Sequence, residues 1–160
     1  MRSGQFTGGL PWPLRSLGAG VAGTIGLTLA YRLEHRLRPH RRGPVDYDDS
    51  LVPGQIVANI LHLPAVTDTE EHELGLALRW CYGSAFGVWH GILRRRLPEP
   101  LATIAFASTL ITMTMTMFPL LGRTTPPWRW PRGYMATCLA THAVYALTVG
   151  EVDDHLRGRS

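Results

Sequence analysis

The sequence predicts an all-α protein, a polytopic transmembrane helical bundle of four spans plus a short interfacial or re-entrant helix. Three observations predict it. Long uncharged apolar runs recur along the 160 residues, charge gathers in the connections between them, and small residues repeat at helical spacing inside them. The mean hydropathy near zero arises because those two populations cancel. A hydrophobic content of 45% without low-complexity tracts excludes a disordered chain and fits one domain.

Crossing about 30 Å of hydrocarbon takes about 20 apolar residues at about 1.5 Å each. The predicted spans are 17–31, 74–93, 101–122 and 133–150. Leu101 to Gly122 is the clearest, with no charged side chain, and Gly133 to Gly150 follows. Leu74 to Leu93 carries Arg79 and His90, and Leu17 to Tyr31 is short and glycine-rich. The first run competes with a signal-peptide reading, because Arg2 and Arg15 precede it and Ala30 offers a cleavage position. The long leader with Pro11 and Pro13 and the weak small-residue pattern at Thr28 and Ala30 favour a retained helix.

Between the first two spans, a helix is expected over about 53–63, started by Asp49 or Ser50 with Pro53 in its first turn and stopped by Pro64. Ile56, Ile60 and Leu63 share one face, with Asn59 and His62 beside it as candidate ligand-binding residues. A helix this short cannot span, so it is interfacial, re-entrant or a loop helix packed on the bundle. The second span opens on a capping-box pattern, Thr67 to Glu70, and closes on Arg94, Arg95 and Arg96. Acids first and arginines last suit the helix dipole, which explains the Glu70, Glu71, Glu73 run better than a metal site does.

Orientation is contested. Arginines crowd the C-terminal ends of both the first and second runs, although simple alternation puts those ends on opposite sides. Either the 51–66 region returns the chain an extra time, or one side carries additional charge.

In lipid, helices associate through small residues that let backbones approach. Gly83, Gly87 and Gly91 form such a row, and Ala19 with Gly23 and Ala22 with Gly26 repeat the spacing in the first span. Contacts within the chain are favoured over a homo-oligomer or a larger membrane complex held through the same glycines. Beside that row, Arg79, Tyr82, Phe86 and His90 share a helical face and are candidate ligand-binding residues. Hydroxyl stripes on the third span (Ser108, Thr109, Thr112, Thr116) and the last (Thr137, Thr141, Thr148) either converge on a hydrated interior or satisfy their own helix carbonyls.

Ionisable groups at membrane depth cost about 2.5–3.5 kcal/mol on insertion scales, so each asks for a reason. Arg79 and His90 can snorkel to an interface; His142, at mid-span, cannot. His142, Tyr145 one turn along and Asp153 at the membrane edge form a candidate catalytic or proton-relay set. Met113, Met115 and Met117 alternate, so they spread around a helix and do not converge on copper. Trp12, Trp128, Trp130 and Tyr134 stand at span boundaries like an aromatic belt.

No phosphate loop, nucleophile elbow or HExxH motif is present, and no cofactor or metal is expected. Cys81 and Cys138 lie in separate apolar runs without ligand spacing. All sixteen basic residues are arginines, yet they flank apolar runs and form no stripe with stacking platforms, which argues against nucleic acid.

The segment YGSAFGVWHGILRR, the apolar run after it and THAVYALTVG resemble the small bacterial inner-membrane proteins related to YagU. The resemblance lies within residues 74–150 and rests on Tyr82, Gly83, Gly87, His142 and Tyr145. Ala146 stands where that family places a glycine. The resemblance implies a multi-pass protein of the cell (inner) membrane and carries over no catalytic residue.

Two functions are expected to compete. One is a helix-bundle component in the bilayer that handles protons or a small lipid-soluble ligand. The other is a membrane-embedded cyclase or isomerase acting on an isoprenoid or polyketide. Trp80, Tyr82, Phe86, Trp89 and Tyr145 would line its cavity, and His142, Asp153 or Asp154 would supply the proton.

Overall fold

The computed structural model describes residues 11–37, 52–62, 68–122 and 124–158, and every regular element among them is helical. In chain order these are α1 (Trp12–Leu37), α2 (Val52–Leu61), α3 (Asp68–Arg94), α4 (Leu101–Leu121) and α5 (Arg132–Gly158), with a single 3-10 turn at Pro127–Arg129. The expected caps at Asp49, Ser50 and Thr67, the Glu70 and Glu71 side chains, and Arg2, Arg38, Arg41, Arg42, Arg123 and Arg159 lie outside what is described.

The helices outrun the apolar stretches that announced them. α1 has 26 residues, and α3 and α5 have 27 each, which at about 1.5 Å per residue is about 40 Å. Only α4, among the described residues, is both long and apolar enough to cross a membrane on length and composition. The runs 17–31, 74–93 and 133–150 are helical but do not meet that test. Glycine dilutes α1, Arg79 interrupts α3, and Thr137, Thr141, His142 and Thr148 lower the hydropathy of α5.

Four long helices form the bundle. α1 packs on α3 and α5, α4 packs on α5 and α3, and α2 lies over α3 and α4. The pairs α1 with α3, α1 with α5, α3 with α4 and α4 with α5 are antiparallel, so α3 and α5 run parallel where they touch. On α1 and α3, Ser16 meets Gly91, Gly20 meets Gly87 and Thr24 meets Gly83. On α4 and α5, Thr103 meets Gly150, and Thr114 meets His142. Consequently the start of α1, the end of α3, the start of α4 and the end of α5 share one pole.

Within the bundle the long helices alternate in direction along the chain, and Arg32 and Arg36 of α1 lie at the pole opposite Arg94 of α3. At the first pole the charges nearest the bundle are paired. Asp153, fully buried, accepts from Arg15 Nε at 3.2 Å and Arg157 Nη2 at 3.1 Å. Arg94 reaches Asp154 at 2.6 Å and Glu99 at 3.1 Å. Its hydrogen bond to Asp154 holds the guanidinium more firmly charged than usual. Glu99 also accepts from the Thr103 amide at the start of α4, where a helix dipole favours a carboxylate.

At Gly20 and Gly87 the backbones of α1 and α3 meet without side chains between them. A Cβ on Gly87 would lie 2.5 Å from the nitrogen and 2.6 Å from the Cα of Gly20, closer than the roughly 3.5–4.0 Å of an ordinary carbon contact. Gly83 and Gly91 are closed by side chains, those of Thr24 and Ser16, so the whole row is occupied by α1 of its own chain. Gly23 and Gly26 serve a different neighbour, α5, through Tyr145, Val149 and Thr148.

Polar side chains share the interior with the apolar core: Ser16, Thr24, His90, Thr103, Thr141 and Asp153 are buried along with Phe106, Leu110 and Val149, while Leu14, Leu17, Val21, Ile25, Leu29 and Leu33 form an exposed apolar ridge along α1. α2 ends early, because His62 adopts φ 51° directly after Leu61, before Pro64 is reached.

Candidate functional site: an apolar cavity with one arginine

A cavity of about 410 Å³ opens between all five helices. Its wall is almost wholly apolar: Leu27 and Tyr31 from α1, Ile56 and Val57 from α2, Leu78, Tyr82 and Phe86 from α3, and Leu110, Met113, Met117, Phe118 and Leu121 from α4. Arg79, Thr114, His142 and Tyr145 supply its polar atoms. Of the apolar face expected for α2, Ile56 reaches the cavity with its neighbour Val57, while Ile60 is exposed.

His142 is held at both ring nitrogens. Its Nδ1 lies 2.8 Å from the Cys138 carbonyl, one turn back on α5, and its Nε2 lies 2.9 Å from the Thr114 hydroxyl. A carbonyl only accepts, so Nδ1 carries the hydrogen, and in the neutral ring Nε2 accepts from Thr114. This tautomer follows from the partners. Tyr145 donates to the Gly83 carbonyl and packs its ring 5.8 Å from that of Phe106. It thus joins α5 to the glycine row and closes the cavity floor. Tyr82 and Phe86 meet edge to face at 6.2 Å.

Arg79 is 7% exposed, its guanidinium carbon 5.1 Å from the centre of the Tyr31 ring. Among the described residues no carboxylate lies within ion-pair distance of it. Arg15, Arg94 and Arg157 each have such a partner.

The expected site residues therefore divide. Arg79, Tyr82, Phe86, His142 and Tyr145 come together in the cavity. His90 shared a helical face with them but lies fully buried at the charged pole, 3.2 Å from both Glu99 and Thr103. Asp153 is likewise drawn away from His142, because eleven residues along a helix is about 16 Å and Arg15 and Arg157 enclose it. Asn59 is exposed and donates to the Leu121 carbonyl at 3.1 Å, satisfying the end of α4. His62 is exposed too, 3.2 Å from the Ile60 carbonyl, and neither lines the cavity.

The hydroxyl stripes do not build a hydrated interior. Ser108, Thr109, Thr116, Thr141 and Thr148 each donate to a carbonyl one turn back, at 2.7–2.9 Å. Trp80 and Trp89 are each 39% exposed and stay outside the cavity. Trp130 is buried and donates to the Thr125 carbonyl at 2.7 Å, so it orders the α4–α5 connection, whereas Trp128 is 82% exposed. No three His, Cys, Asp or Glu side chains among the described residues gather as a metal site.

Sequence reasoning missed Gly20, Leu27, Tyr31 and Thr114. Ser16, Gly20 and Thr24 repeat every fourth residue, and that signal was present. Thr114 gave none, since only the fold brings it to His142.

The chain matches no family model, no curated protein and no solved structure.

Proposed function

We propose that the chain is a four-span protein of the cell membrane whose bundle binds a small lipid-soluble molecule in the cavity beside His142. The observation that carries this is the cavity itself. Its volume of about 410 Å³ falls in the range of about 300–1,000 Å³ typical of small-molecule sites, which are apolar with a few convergent polar groups. The membrane setting is supported by α1, α3 and α5 each being about 40 Å long, by buried hydroxyls against exposed leucines, and by charges gathered at the poles. Exposed apolar side chains over α1, α4 and α5 face the acyl chains in this reading.

A binding component is favoured over an acid/base enzyme. Asp153, the expected proton donor, is committed to two arginines away from the cavity, and Asp154 to Arg94. His142 is left as an imidazole in the cavity wall, its ring fixed between Cys138 and Thr114. The test is purification from membranes in mild detergent, solvent extraction and mass spectrometry. A single hydrophobic metabolite near one per chain, lost in the cavity-filling Leu110→Trp and Met117→Trp variants, is expected. Extracts holding only bulk phospholipid, identical between wild type and both variants, would refute it.

A further inference from the structure

Resting on that binding reading, we infer that the occupant is an anionic single-chain lipid, whose acidic head pairs with Arg79 and whose chain lies along Met113, Met117, Phe118 and Leu121. The cavity is apolar except at a few places, and only Arg79 among its described lining residues is a permanent charge. His142 spends both nitrogens on Cys138 and Thr114, and Tyr145 spends its hydroxyl on Gly83. Neither is free to receive a head group strongly.

Arg79 is different in kind. Its side chain is more than nine-tenths buried, it faces the cavity, and no described carboxylate neutralises it. A buried charge without a counter-ion is costly, whereas paired arginines at the charged pole show what this fold does when a guanidinium is meant only to hold helices together. The guanidinium carbon lies over the Tyr31 ring, 5.1 Å from its centre, a contact that uses no N–H hydrogen bond of the guanidinium. The N–H edges of a guanidinium fit the two oxygens of a carboxylate or a phosphate. The two methionines give a wall that adapts to an unbranched chain. A cavity of about 410 Å³ lies near the lower end of the usual range, which suits one chain better than the two of a phospholipid.

The test uses the full chain, delipidated in detergent, with oleic acid, oleyl alcohol and oleoyl lysophosphatidate as probes at a pH where the acids are ionised. The wild type is expected to bind at least one of the two acids tenfold or more tightly than the alcohol, and the preferred acid separates a carboxylate head from a phosphate head. Arg79→Met should bind acid and alcohol alike while keeping wild-type affinity for the alcohol. The wild-type comparison stands by itself should that variant misfold. Equal binding of acid and alcohol to the wild type overturns the inference and leaves the cavity reading intact. Saturable binding of none of the probes overturns both.

Discussion

Replacing Gly87 by alanine tests the helix crossing that frames the cavity. The added methyl would lie 2.5 Å from the Gly20 nitrogen and 2.6 Å from its Cα. These are backbone atoms, so no rotamer change can relieve the contact, and α1 must withdraw from α3 by about 1 Å to reach normal separation. Overpacking of this kind costs about 1–3 kcal/mol, while alanine gains up to about 1 kcal/mol over glycine in a helix interior. Gly18 supplies the control, because a Cβ there meets nothing within 4 Å. Gly18→Ala should therefore show only the propensity gain. The difference between the two variants isolates the crossing and should be about 1–3 kcal/mol, with Gly87→Ala the less stable. The assay is unfolding in mixed micelles followed by tryptophan fluorescence. Equal stability of Gly87→Ala and Gly18→Ala would refute the close approach of α1 to α3.

Other outcomes follow from the same contacts. Asp153→Ala leaves Arg15 and Arg157 facing a buried void and should cost about 3 kcal/mol or more. Asp154→Ala, at a side chain 43% exposed, should cost less than about 1 kcal/mol in the same unfolding assay. Thr114→Val keeps the shape but removes the His142 partner, so stability should fall by about 1 kcal/mol and the His142 ring resonances should shift in NMR. Met117→Trp, at the cavity wall, should lower the ligand recovered per chain while the unfolding midpoint stays near that of wild type.

The positions of the helices were legible because apolar runs and their glycines are local signals. Leu101 to Gly122 became α4, and the 53–63 stretch became α2 at Val52–Leu61. Helix lengths were underestimated, since polar residues such as Arg15 and Asp153 continue α1 and α5 beyond their apolar segments by pairing with each other. Nothing local reveals a partner 138 positions away. For the same reason Asp153 looked available to His142 and His90 looked like a neighbour of Arg79.

The cavity was half legible. Tyr82, Phe86 and Arg79 share one helical face, and that periodicity is readable from spacing alone. The lining from α1 and α2 depends on how helices cross, and the crossing is set by Gly20 against Gly87, two backbones that no side-chain pattern describes. The threonine stripes misled because a hydroxyl in a helix bonds the carbonyl one turn back before it serves any shared interior.

The central claim is that four antiparallel helices cross a bilayer around this cavity, and single-cysteine labelling in intact and opened vesicles tests it most directly. With Cys81 and Cys138 replaced, the exposed positions Pro98, Trp128 and Gly158 each receive one cysteine. Pro98→Cys and Gly158→Cys should react from one face of the membrane and Trp128→Cys only from the other. Reaction of all three from a single face would contradict the account.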